Sequence, residues 1–218
     1  MRLRLPEERP VEPPVGYKIA HPVLSGDGAR AGFLGVSLGG REPYGVLDDA
    51  RCAYGRRHRV PSRLCDCGFH ALAERSEALG LTCTAEHRRA VLLEVTVLGA
   101  YIRFELGFRY ARQRVRAMTV GDCPCAVPAV LLADAGWGRP GWHALEAACG
   151  GCVRRRTALT LAEFAEVAGE GLRARAAPGG RRFAPRAPSV PELVAEAALL
   201  QARLDWFQTQ LSRHTDGD

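Results

Sequence analysis

Six of the eight cysteines in this 218-residue chain fall into three tight pairs: Cys65-Asp-Cys67, Cys123-Pro-Cys125 and Cys149-Gly-Gly-Cys152. Two sulfurs one or two residues apart sit at a single turn, which is how a chain presents thiolates to a tetrahedral metal ion. A closed site needs four ligands, so each pair demands that the fold bring further ligands beside it.

Cys123, Cys125, Cys149 and Cys152 meet that demand among themselves and read as one all-cysteine zinc site. The glycines between Cys149 and Cys152 open the backbone and expose amides to the sulfurs. Two alternatives stand beside this reading. The four can be buried free thiols, or Cys149 and Cys152 can be a redox dithiol. The redox motif needs a strand before it and a helix starting at its first cysteine, whereas His143–Ala148 reads as helical.

Cys65 and Cys67 need two more ligands. Upstream lie Cys52 and His58; downstream lie His70 and Cys83. The spacing Cys52-x5-His58-x6-Cys65-x-Cys67 is compact and falls in a stretch poor in regular structure, where a metal can stand in for a core. These four read as a second site, for one or two structural zinc ions in all, with Cys83 left over. The alternative makes Cys52 and Cys83 small core residues and His58 a solvated member of the run Arg56-Arg57-His58-Arg59.

Composition sets the frame. The chain is 47% hydrophobic and 25% charged, as expected of a globular protein, with a net charge of +6. Lys18 is the only lysine among 30 basic residues. With abundant alanine and glycine, that arginine excess reads as the codon bias of a GC-rich bacterial genome. The charge permits nucleic acid as a partner through Arg56, Arg57, Arg59 and Arg63 or through Arg154-Arg155-Arg156, although no aromatic residues interleave for base stacking. No run of about 18 apolar residues predicts a membrane span. The first ten residues lack the apolar core of a signal peptide, so a cytoplasmic location with reduced thiols is expected.

Along the chain, residues 1–15 carry four prolines and read as a flexible arm. Residues 16–121 predict an α+β domain. Its strands are Tyr17–Leu24, Ala31–Leu38, a hairpin of Ala90–Leu98 and Tyr101–Leu106 turning at Gly99-Ala100, and Val115–Val120; its one helix spans about His70–Leu79. A zinc-ribbon-like segment follows over 122–172, in which Thr160-x-x-Glu163 is a capping box opening a helix to about Ala168. Residues 173–188 hold five arginines, three prolines and no acid, and read as a linker. The final segment, 189–213, predicts an amphipathic helix capped by Ser189. Val190, Leu193, Ala197, Leu200, Leu204, Phe207 and Leu211 alternate at spacings of three and four, the apolar seam of a coiled coil. Such a seam docks onto a protein partner or a second copy.

Two resemblances attach to the first domain. Cys65-Asp-Cys67-Gly68-Phe69-His70-Ala71, followed by a short helix and Leu92–Gly99, resembles uncharacterised bacterial and phage families with a Cys-x-Cys-Gly-Phe-His/Tyr-Ala core. The resemblance implies a fold unit with Cys52 and His58 as partners of the Cys-x-Cys, and no established activity. Gly16-Tyr17-Lys18, Gly68-Phe69-His70-Ala71, the helix and Val91–Val97 also fall in the order of ADP-ribosyltransferase folds. That similarity implies a nucleotide-using enzyme with a cleft near Tyr17, Lys18, Phe69 and His70. The chain departs from it with lysine for arginine at 18 and Ala71 at a Ser/Thr position, and Glu105 is the nearest late glutamate. No phosphate-binding glycine loop, serine nucleophile elbow or deaminase signature occurs.

The expectation is therefore a zinc-stabilised interaction protein, with a transferase-like enzyme and a zinc-ribbon nucleic-acid binder as the alternatives.

Overall fold

The computed structural model describes residues 12–36, 42–52, 54–83 and 87–177. The heptad segment 189–213, with its seven seam residues, lies outside them, as do residues 1–11.

The α+β expectation is overturned. Among the described residues strands account for 49% and helix for 13%, the strands forming one large sheet that is antiparallel at all but one pairing. In chain order the elements are β1 (Val15–Ser25), β2 (Ala31–Gly35), β3 (Leu47–Asp49), β4 (Phe69–Leu72), α1 (Arg75–Gly80), β5 (Val91–Arg103), β6 (Gly107–Val120), β7 (Leu131–Arg139), β8 (Trp142–Ala148), α2 (Gly150–Val153), β9 (Ala158–Thr160), α3 (Leu161–Ala168) and β10 (Arg173–Ala176). β1 pairs with β5, β5 with β6, β6 with β4 and β4 with β1, so these four close a circuit. β8 joins the far end of β1 through Val23–Ser25, so the strands after Gly121 extend the same sheet.

Three local corrections explain the shift towards β structure. Gly99 is no hairpin turn: it lies at a register shift inside a single 13-residue strand, with φ +68°. A bulge absorbs that residue and bends the strand. The chain reverses instead at Phe104–Gly107, closed by the Phe104 N–H donating to Gly107 O at 2.8 Å. The helix expected from His70 starts only at Arg75, because residues 69–72 pair with Gly107–Tyr110. The alanine-rich stretch 143–148 is β8: pairing to β7 and β1 outweighs its helical propensity. Pro140-Gly141, with Gly141 at φ +77°, turns β7 into β8. The segment read as linker also begins with a strand, β10, parallel to the end of β6.

The capping box forms as its sequence requires. Glu163 N–H donates to Thr160 Oγ1 at 3.1 Å, and Thr160 N–H donates to the Glu163 carboxylate at 2.7 Å. This start directs the fully buried Phe164 onto Phe33, ring centroids 5.9 Å apart. From Phe33 a line of aromatic contacts runs through Tyr44 and Phe69 to Tyr110. The main core is apolar, with Leu93, Val95, Met118 and Leu132 buried around that line. Among the described residues, no helix is long and apolar enough to cross a membrane.

Candidate metal centres and an adjoining cavity

The fold assembles both predicted quartets. In each of Cys52/His58/Cys65/Cys67 and Cys123/Cys125/Cys149/Cys152, the four ligand atoms lie within 4.8 Å of one another. A tetrahedral centre with metal–sulfur bonds of ~2.3 Å places its sulfurs ~3.8 Å apart. The Cys52 and Cys65 sulfurs are 3.8 Å apart, Cys67 Sγ is 3.7 Å from His58 Nε2, and Cys125 Sγ is 3.5 Å from Cys149 Sγ. Either quartet can hold a metal ion in this arrangement.

The first quartet is drawn from the loop between β3 and β4. His58 Nδ1 lies 2.9 Å from the Arg59 carbonyl. Donation to that carbonyl leaves Nε2 as the ligand atom, the orienting bond that metal-bound histidines commonly make. From β6, the buried Arg109 reaches under the loop and donates to the carbonyls of Ser62 and Cys65, with Asp66 at 3.4 Å. Gly68, at φ +129°, lets the chain turn from Cys67 into β4. A Cβ there would press on Arg109 Cγ at 3.0 Å and Tyr110 O at 3.2 Å. The glycine of the Cys-Gly-Phe run is thus a packing requirement between the loop and β6. Arg56, Arg57, Arg59 and Arg63 all stay exposed.

The second quartet joins two turns. Cys123 and Cys125 follow β6 in a tight turn closed by Ala126 N–H donating to Cys123 O at 2.7 Å. Cys149 follows β8 directly and sits just before α2, and the Cys152 N–H donates back to Cys149 O at 3.0 Å. The context required by the redox alternative is therefore present: a strand precedes Cys149 and a helix starts after it. What distinguishes this site is Cys123 and Cys125, which complete a four-thiol cluster. Beside it, Arg156 and Arg89 both bond the buried Glu146 carboxylate. That pairing commits Arg156 to the fold and leaves Arg154 and Arg155 exposed.

The thiols share a charge problem. Burial opposes ionisation of Cys52, but the Tyr54 and Arg56 N–H groups, with Cys65 and His58, bring it down to about 7. Burial pushes Cys67 up to about 11. In the second quartet Cys125, helped by the Cys152 N–H, draws Cys149 down to about 7, while Cys125, Cys123 and Cys149 push Cys152 up to about 12. In each quartet one thiolate forms near neutrality, while Cys67 in the first and Cys125 and Cys152 in the second resist forming another. A divalent cation removes that repulsion.

A cavity of about 910 Å³ opens beside the first quartet; its wall includes Tyr17, Lys18, Tyr44, Phe69, His70 and Phe108. The structure therefore gathers Tyr17, Lys18, Phe69 and His70 where the transferase resemblance implies a cleft. Glu105 sits exposed in the β5–β6 turn and is not part of the wall. Sequence reasoning missed Arg109, Tyr44 and Gln113. Each reaches its site across a long sequence separation, and no local motif signals them. No protein-family model, curated protein or solved structure matches the chain.

Proposed function

We propose that this is a zinc-stabilised interaction protein of the reducing cytoplasm, whose two zinc ions staple loops to the sheet and whose heptad segment 189–213 docks a protein partner or a second copy. The observation that carries the zinc reading is that each quartet supplies four protein ligands. A catalytic zinc keeps one position open for water or substrate, whereas a structural zinc is closed. Thiolate-rich sets of this kind select zinc over magnesium or calcium, which take oxygen ligands.

The docking role rests on the seam of Val190, Leu193, Ala197, Leu200, Leu204, Phe207 and Leu211. Sedimentation of the zinc-loaded full chain, compared with a chain ending at residue 188, tests it. The full chain should run as a dimer or hold a partner through purification, and the shortened chain as a monomer that keeps its zinc. An identical monomer in both cases would remove the docking role.

One observation favours a second reading, the nucleotide-using enzyme: the cavity wall joins Tyr17, Lys18, Phe69 and His70. That reading requires millimolar NAD to raise the melting temperature. The arginine runs leave nucleic-acid binding as a third reading, in which affinity must fall steeply with salt.

A further inference from the structure

Lys18 is the only lysine in a chain that otherwise uses arginine for every basic side chain counted in its charge. The two residues are not equivalent in a cavity. A guanidinium stays protonated in any protein setting, whereas a lysine amine in a poorly solvated site can give up its proton and act as a nucleophile. Lys18 occupies such a site. Its Nζ lies over the rings of Tyr44 and Phe69, 4.7 and 4.9 Å from their centroids, and donates to Gln113 Oε1 at 3.5 Å. Burial lowers the amine to about 7, with no carboxylate among the described residues acting to raise it.

The groups around it are set up to receive a ligand. Tyr110 donates its hydroxyl to Gln113 Oε1 at 2.9 Å, which fixes the amide. Gln113 Nε2 and the Tyr44 hydroxyl are buried and make no hydrogen bond of good geometry, although the amide lies near enough to the phenol to ease its ionisation slightly. Leaving such groups unmade costs stability unless something binds there. Burial also holds the Tyr44 phenol well above its usual range, so it stays protonated and can donate. His70 is pushed towards its neutral form by burial and by the charges of Lys18 and Arg109.

We propose that Lys18 is the amine of a carbonyl-binding site and that the adjoining cavity takes an uncharged aromatic aldehyde as an imine on Nζ. The cavity volume suits a small organic molecule. Its wall carries Glu42, Asp48, Asp49 and Asp66, and Arg51, Arg112 and Arg109 pair with the first, third and fourth of these. The wall therefore presents no unpaired guanidinium to a phosphate or carboxylate, which weighs against a dinucleotide. The step balances without a redox partner. The Nζ lone pair attacks the carbonyl carbon, and the C=O π pair moves to oxygen under a hydrogen bond from Tyr44. The two amine protons leave with that oxygen as water, and a C=N bond remains. On protonation, the imine places its positive charge over the same two rings that now face the ammonium.

The test is reductive trapping on the zinc-loaded full chain, with benzaldehyde and cyanoborohydride at pH 7 and peptide mapping by mass. Lys18 is the only ε-amine, so mapping separates it from the chain's α-amine. With pKa values of about 7 and ~10.4, the neutral fraction at pH 7 differs by about 10³-fold, offset in part by lower intrinsic nucleophilicity. Lys18 should therefore be benzylated at least ~10-fold faster than Nα-acetyllysine in the same mixture. Tyr44→Phe, which keeps the ring but loses the hydroxyl, should slow the trapping. Measured against acetyllysine in the same mixture, pyridoxal phosphate, an anionic aldehyde, should favour Lys18 less than benzaldehyde does. Labelling of Lys18 by benzaldehyde no faster than acetyllysine, or only in denaturant, overturns the site. A greater preference for Lys18 with pyridoxal phosphate than with benzaldehyde overturns the ligand class, and an unchanged rate in Tyr44→Phe overturns the role of its hydroxyl.

Discussion

The quartet at 52–67 is drawn from one continuous loop, whereas the quartet at 123–152 ties the end of β6 to the end of β8 across the β7–β8 hairpin. The first region has almost no regular structure of its own; an arginine on β6, Gly68 and the ligand set hold it down. The second is framed by strands, and its metal would close a joint between elements that are already folded. The same ligand chemistry would thus do different work. In one region a metal would replace a core that the loop never had, and in the other it would lock strand ends together.

The largest contrast should come from removing one ligand on each side. Losing a structural zinc forfeits a large apparent binding energy, roughly 10 kcal/mol or more in small zinc peptides. Cys149→Ser should therefore lower the melting temperature of the whole domain by at least about 10 °C. Cys67→Ser should act locally: a smaller fall in melting temperature, but tryptic cleavage at Arg56–Arg63 faster by more than ~10-fold. Rapid cleavage of that loop in Cys149→Ser, with Cys67→Ser protected, would reverse the comparison.

Arg109→Leu sharpens it further. It removes the donors to Ser62 and Cys65 and leaves those carbonyls to resolvate, which should cost about 2–3 kcal/mol in denaturant titrations. As a partner that orients the loop, Arg109 should also matter for metal affinity, by ~10-fold or more at the first quartet and not at the second. The ion pair with Asp66 adds little, because that carboxylate side chain is 93% exposed.

Much of this contrast was legible in the sequence. The spacing of the cysteines and of His58 named all eight residues that the fold gathers into the two quartets, because tight pairs are a local signal. The capping box at Thr160 and the β-branched runs of β5 and β6 were local signals too. What the sequence hid was long-range: β4 and β8 look helical by composition, and only pairing to β6, β7 and β1 makes them strands. The Pro140-Gly141 turn was a local sign of β8 that the alanine-rich stretch outweighed. Arg109 and the Lys18–Gln113 contact join residues 43 to 95 apart, and nothing in a local pattern announces them.

The smallest expected effect, taken per pH unit, is a stability slope on the cavity side. The unfolded Lys18 amine titrates near ~10.4 and the folded one near 7. Between those values the unfolded chain binds a proton that the native one does not. Stability should therefore rise with pH from about 7 to 10, by at most ~1.4 kcal/mol per unit from this group, and this contribution should be flat below that window. The groups facing the amine are Tyr44, Phe69, Gln113 and His70. The slope should vanish in Lys18→Met, measured as the difference from the parent protein across the pH series. An equal slope in the variant would mean that Lys18 titrates normally in the fold.

The most direct test of two structural zinc centres is the native mass of the purified protein before and after acidification. We expect two zinc ions per chain, both released by acid, with Cys149→Ser and Cys67→Ser each retaining one. A native mass without zinc, and unchanged by acid, would contradict the account.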